Sequence, residues 1–291
     1  MEQSEIEAIH EKFWRPGYGS VAADEMEYFQ ALIAEHRPKH FLEIGTASGL
    51  SGGLISLLLE EYGGESFTTL DHDNTFFGDE TKENGFLIDQ IYQGEKIRVE
   101  KKPFTLAMDI PSLGREFDMV FIDANHQHPY PTIDTLCVYP FLTGSRTVLH
   151  HDLKLYKTQR VPFGIGPKYF YDQVPHSLRD RSPANEGNLY SVRLTMDKDG
   201  FEDLIVDALL LPWSLRTHII PPRITAIQEL VDAHYSPRVR EAFDTAVKRY
   251  NRPYVRQDPA KQAAPAQPAG EPTEASLPGR IGGLLSRLRK R

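Results

Sequence analysis

The stretch Phe41–Ser51, FLEIGTASGLS, decides the reading of this chain. A short apolar run carries one acid, Glu43, into a turn bearing Gly45, Ala47 and Gly49, and a helix-like stretch comes next. Glycines in such a turn let backbone approach a ligand where a side chain would block it. The start of the next helix offers free N–H groups to a carboxylate or phosphate. One turn-helix-strand unit later comes Leu70-Asp71-His72-Asp73. There Asp71 is placed to grip the two hydroxyls of a ribose. A nucleoside with a small anionic group is the implied ligand.

Spacing narrows the choice. A dinucleotide fingerprint counted from Gly45 needs glycine at 47 and a small residue at 50, where this chain has Ala47 and Leu50. A Walker loop needs a lysine that Gly49-Leu50-Ser51 lacks. The pattern Glu-x-Gly-x-x-x-Gly, here Glu43, Gly45 and Gly49, resembles motif I of class I S-adenosylmethionine (SAM) methyltransferases.

Working outward, apolar spacing predicts a helix over 24–36 and a strand over 40–45, then a helix over 50–62 and a strand over 66–71. A helix over 79–92 and a strand near 96–101 come next. The apolar run Asp118–Asp123 suits a parallel strand buried on both faces. A helix over 129–142, a strand over 146–150 and a last strand over 188–194 complete the set. Alternating strands and helices predict an α/β fold, a doubly wound, Rossmann-like, mostly parallel sheet with helices on both faces. Ligands of such sheets bind beyond the carboxyl ends of the strands. The polar residues there are Glu43, Gly45, Asp71, Asp123, His151 and Asp152.

A second constellation is FIDANHQHPY, with TVLHHDL after it. Asp123 ends one strand with His126 three residues on, and His150, His151 and Asp152 end the next. Neighbouring parallel strands bring these ends together, and two carboxylates with an imidazole suffice for one divalent cation. Spacing leaves open that Asp123 only bonds its loop and that the histidines are polar loop residues.

With these residues in hand, the segment from about 14 to 194 resembles the class I methyltransferases around catechol O-methyltransferase and the bacterial methyltransferase family-24 domain. The matching residues are Asp123-Ala124, His126, Asp134, Pro140-Phe141-Leu142 and His151-Asp152. The resemblance implies SAM held by Glu43, Gly45, Ala47, Gly49, Ser51 and Asp71. It also implies magnesium on Asp123 and Asp152 and a general base at His126, where the catechol enzymes have a lysine. Their strand-end positions add His151 as a candidate third ligand, His126 or His151 as candidate base, and Mg2+ or Mn2+ as the ion. The implied activity is O-methyl transfer to a small-molecule or glycan hydroxyl. A metal-independent enzyme with a histidine base and a non-catalytic SAM-binding protein are the alternatives. The chain departs from the family pattern at His128, where a tyrosine is expected, at Leu153, where catechol enzymes have a metal-binding asparagine, and at Pro103-Phe104, which replaces small polar residues often found near the adenine.

Composition sets the remaining bounds. The 291 residues are 40% hydrophobic and 25% charged, ordinary globular usage. A net charge of -8 speaks against a nucleic-acid groove. One cysteine, Cys137, excludes a disulfide framework. No long apolar run spans a membrane and MEQSEIEAIHEKF lacks a signal-peptide profile, so a cytoplasmic protein is expected. The expected organisation is an arm and helix over 1–36, the methyltransferase domain over 37–195 and a helical extension over 196–256 that caps the domain or joins a homodimer. Beyond it are expected a disordered Pro/Ala-rich linker over 257–279 and a basic amphipathic tail over 280–291, suited to weak contact with an anionic membrane surface.

Overall fold

Strand β1 (His40–Ile44) is an inner strand of a seven-stranded sheet formed by the described residues. A computed structural model describes residues 1–158 and 162–255. The linker 257–279 and the tail 280–291 lie outside the described residues. Before β1 come α1 (Gln3–Phe13), in the region expected to be an arm, and α2 (Met26–His36). After it come α3 (Leu50–Tyr62), β2 (Ser66–Leu70), the single turn α4 (Ile88–Ile91), β3 (Arg98–Lys102) and β4 (Phe117–Ile122). Helix α5 (Tyr130–Val138) leads into β5 (Leu142–His150), then α6 (Gly166–Gln173), β6 (Arg179–Arg181) and β7 (Tyr190–Arg193). The strand order is β3-β2-β1-β4-β5-β7-β6, parallel from β3 through β5, with β7 antiparallel to both β5 and β6. The expected doubly wound, mostly parallel sheet is therefore what forms.

Alternation along the strands divides the core. Phe41, Met119, Phe121 and Leu149 face α2 and α3, packing with Phe29, Ile33, Leu54 and Leu58. Leu42, Ile44, Val120, Ile122 and Val148 face α5 on the other side. That second core extends into α7 (Lys198–Leu209), α8 (Pro221–His234) and α9 (Pro237–Tyr250), through Phe201, Val231 and Phe243. Met1–Tyr254 accordingly form one unit. Among the described residues no helix is long and apolar enough to cross a membrane.

The helix expected over 79–92 is corrected to the one turn of α4. The Asp79 carboxylate accepts from the Thr81 N–H at 3.1 Å and its hydroxyl at 2.7 Å, a local turn that competes with helix. Gly85 then takes a left-handed conformation, φ 74°. The segment docks instead on the turn after β1, with Gly85 N–H donating to the Ala47 carbonyl at 2.9 Å and Leu87 N–H to the Ser48 carbonyl at 3.0 Å. The helix expected over 129–142 stops at Val138 and tightens into a 3-10 turn over Tyr139–Phe141, as Pro140 has no N–H to continue the ladder.

Candidate active site

Hydrogen bonds that run one residue past each strand align the site. Gly45 N–H reaches the Leu70 carbonyl at 2.9 Å, Asp123 N–H reaches Ile44 at 2.9 Å, and His151 N–H reaches Ile122 at 3.3 Å. Gly45, Asp123 and His151 thus share one rim at the carboxyl ends of β1, β4 and β5. A cavity of about 490 Å³ opens there, large enough for a nucleoside cofactor with part of a second molecule. Gly45, Ala47, Asp71, Asp123 and His126 line it. Glu43, Gly49, Ser51, His151 and Asp152 are not among the lining residues.

The glycines serve the protein's own packing first. At φ 104°, Gly45 sits so close to β4 that a Cβ would stand 2.3 Å from the Asp123 carbonyl oxygen. A Cβ on Gly49 would meet Ile88 Cγ1 at 2.6 Å and Gly85 Cα at 2.7 Å. Gly49, expected to let a ligand approach, makes room on its Cβ side for the docked 85–88 loop. Ala47 adopts φ 46°, a left-handed conformation that costs an L-residue on the order of 1 kcal/mol.

Glu43 is fully buried and acts from beneath the turn, not on the cavity. Its two oxygens accept from Ser51 Oγ and Thr69 Oγ1, each at 2.7 Å, tying α3 and β2 to β1. Burial pushes its carboxyl up to about 8, against those two hydrogen bonds and with the help of the Asp123 and Asp71 charges. Asp71 does reach the cavity. Its Oδ2 accepts from the Thr46 and Ala47 N–H groups at 3.0 and 3.3 Å, so the same carboxylate that fits a ribose also braces the turn.

At the next strand ends, His126 Nε2 lies 3.1 Å from Asp123 Oδ1 and 3.3 Å from Asp152 Oδ2. One donor atom from each of Asp123, His126 and Asp152 falls within 4.8 Å of the others, a spacing that one metal ion spans. His151 stands behind this triad. Its Nδ1 is 3.5 Å from Asp123 and 3.6 Å from Asp152, while its Nε2 meets Glu25 Oε2 at 3.1 Å. His126, expected as base, thus occupies the ligand-like position, and His151, expected as ligand, is anchored to a further carboxylate. Asp152 holds φ 61°, which an aspartate tolerates better than most residues.

The charges are mutually stabilised. Burial disfavours ionised Asp123, but the His151 and His126 imidazoles outweigh it and hold the carboxyl below the ordinary range. Burial likewise opposes a charged His126, and Asp123 and Asp152 outweigh it and raise its pKa. His151 is raised well above the usual histidine value: burial opposes this, and Asp123, Glu25 and Asp152 prevail. Its neighbour His150 points to the opposite face, stacks on Tyr190 at 5.1 Å and is pushed by burial down to about 3, hence neutral.

Sequence reasoning missed Glu25, Asn185 and Asn188. Glu25, at the start of α2, is fully buried and accepts from Asn185 Nδ2 at 3.2 Å besides pairing with His151. Asn188 Nδ2 donates to Asp152 Oδ1 at 3.1 Å and so supports that carboxylate from β7's approach. An acid just before an otherwise apolar helix face was the only signal for Glu25. Asp134, matched by the family pattern but given no role, is 6% exposed and lines the cavity; burial pushes it up to about 7, with His126 opposing. His128 does not enter the site: its ring is buried edge-on to Tyr169 at 5.2 Å. From the aromatic arm, Tyr18 packs edge-on against Phe76 and Phe86, both at 5.6 Å.

Comparison with known proteins matches the same part of the chain. A family model described as a methyltransferase domain matches residues 42–153, from β1 through the turn after β5. No curated protein matches the chain. Among solved structures it is similar to the O-methyltransferase TomG from Streptomyces achromogenes, involved in tomaymycin synthesis and solved with SAM. That pair shares 17% identity over 66% of this chain and 88% of the other, with a TM-score of 0.46. An O-methyltransferase from Bacillus cereus, solved with SAH, shares 16% identity over 66% and 90%, with a TM-score of 0.43. The SAH-bound methyltransferase PaMTH1 from Podospora anserina shares 15% over 66% and 86%, with a TM-score of 0.44.

Proposed function

We propose that this chain, whose residues 42–153 match a methyltransferase domain, is a class I SAM-dependent enzyme that transfers the methyl group of SAM to a hydroxyl oxygen of a small molecule or glycan. The observation that carries this reading is the meeting, in one cavity, of Gly45, Ala47 and Asp71 with Asp123 and His126, whose cluster Asp152 completes from behind the lining. The first set suits a nucleoside cofactor; the second suits activation of an acceptor oxygen.

Methyl transfer is an in-line displacement at a sulfonium carbon, so the enzyme must align an oxygen and raise its charge density. The incoming hydroxyl has to lose its proton. The neutral His126 imidazole, its Nε2–H held by Asp123 and Asp152, can take it at Nδ1, and the two carboxylates stabilise the imidazolium that results. Glu25 fixes His151 behind them, and Asn188 fixes Asp152. Two carboxylates and an imidazole also fit a divalent cation, with manganese, iron or zinc suited by the mixed donor set. Asp123, His126 and Asp152 would hold such an ion, which would supply a lowered pKa for an acceptor hydroxyl. The metal-free reading is favoured by the contact of His126 with both carboxylates, which makes it a stronger base without any ion.

A screen of hydroxyl acceptors for SAH release, run with chelator and with Mn2+ or Mg2+ restored, tests both. Turnover that stops in chelator and returns with metal supports the ion. Undiminished turnover in chelator that is lost in His126→Ala supports the histidine alone. Methyl transfer only to nitrogen or carbon acceptors would overturn the assignment to oxygen.

A further inference from the structure

The cavity has a second wall that the methyltransferase domain does not supply. The family match ends at residue 153, yet Arg216 and Thr217, from the connection after α7, and Arg223, in the first turn of α8, line the same cavity as Asp123 and His126. Arg216 is exposed and lies over the Phe163 ring at 4.9 Å. Arg223 is half-buried beside the half-buried Tyr130 hydroxyl. Neither guanidinium pairs with a carboxylate among the described residues. In a chain of net charge -8, two unpaired arginines converging on a cavity stand out from the surrounding field.

The third feature is Asp134, one helical turn beyond Tyr130 on α5. Its side chain is nine-tenths buried, lines the cavity and forms no hydrogen bond or ion pair among the described residues. With no protein partner, its carboxyl is free to bond what enters the cavity. The arginines supply forked donors matched to carboxylate or phosphate oxygens. Adenosine carries no anionic group. SAM's one carboxylate is that of its methionine end, so unchanged SAM affinity without the arginines separates the cofactor's anion from the acceptor's.

We infer that Arg216 and Arg223 form an oxyanion subsite, so that the acceptor is a hydroxyl compound bearing a carboxylate or phosphate, with the Asp134 carboxyl bonding a second polar group of the same molecule. Naming the ligand as the acceptor rests on the proposed methyltransferase activity; the oxyanion subsite itself does not. The subsite places specificity in the helical extension, apart from the chemistry at the strand ends.

The full chain, with SAH present, is titrated with benzoate, phenyl phosphate and neutral phenol at constant ionic strength. Wild type is compared with Arg216→Ala, with the Arg216→Ala/Arg223→Ala pair and with Asp134→Asn. At least one anion binds tenfold or more tightly than phenol, and which one it is separates carboxylate from phosphate recognition. That preference falls at least tenfold in the double variant and by a smaller factor in Arg216→Ala, whose exposed position leaves the fold intact. Anions and phenol binding alike, or an anion preference that survives in the double variant, would overturn the inference. SAM is titrated in parallel. Unchanged SAM affinity in the arginine variants is expected. Wild type that binds no SAM but loses anion preference with the arginines would defeat the methyltransferase reading and leave the oxyanion subsite standing.

Discussion

Replacing Glu43 by glutamine should remove a large part of the pH dependence of this protein's stability. The side chain is fully buried, and its carboxyl is pushed from an ordinary 4.5 to about 8, by burial first and by the Asp123 and Asp71 charges after it. The folded chain therefore holds this proton more tightly than the unfolded chain. Stability from that proton is complete below about pH 4.5 and is lost as the pH rises through about 8, where both states become ionised. At ~1.4 kcal/mol per pH unit, the gap amounts to roughly 3–5 kcal/mol. Glutamine keeps the shape: one amide atom accepts from Ser51 Oγ, and the other donates to the Thr69 hydroxyl, whose own proton can turn to Thr46 Oγ1, 2.7 Å away. Urea denaturation monitored by circular dichroism at pH 5, 7 and 9 measures the effect. The difference between Glu43→Gln and wild type should move by several kcal/mol in favour of the variant across that range. Parallel curves for the two proteins would refute the reasoning, and would mean that the carboxyl ionises in the fold at its ordinary pH.

Two further changes probe the surroundings. Ala47→Gly relieves the left-handed backbone at φ 46° and should raise stability by about 0.5–1 kcal/mol in the same assay; a loss of stability would show that the turn is unstrained. Glu25→Ala leaves His151 charged and buried without its 3.1 Å partner and should cost about 3–5 kcal/mol, whereas adding His151→Ala should recover part of it. A double-mutant cycle with no coupling between the two would remove Glu25 from the site.

The fold was legible because its strands are short apolar runs whose ends carry the polar residues. β1 and β4 read directly, and so did Asp71, Asp123 and Asp152, since a parallel strand delivers the residues just past its carboxyl end to a known rim of the sheet. Residues 79–92 misled because helical spacing is overridden there by the Asp79 turn, the left-handed Gly85 and docking on Ala47 and Ser48. β6, three residues on the sheet edge, has too little pattern to read. The role of Glu43 was not legible, since sequence gives a strand residue's place but not whether it faces ligand or two hydroxyls. Glu25 and Asn188 reach the site from elements 126 and 37 residues distant from His151, contacts that no local spacing encodes.

A cavity that holds SAM at the Gly45–Ala47 turn and Asp71 makes the chain a SAM-binding protein in solution. Isothermal titration of the full chain with SAM tests it most directly. Saturable binding of one SAM per chain is expected, with affinity weakened by about 1–3 kcal/mol in Asp71→Ala, which removes a charged hydrogen-bonding partner. Absence of any SAM binding by the folded wild-type chain, or equal affinity in Asp71→Ala, would contradict it.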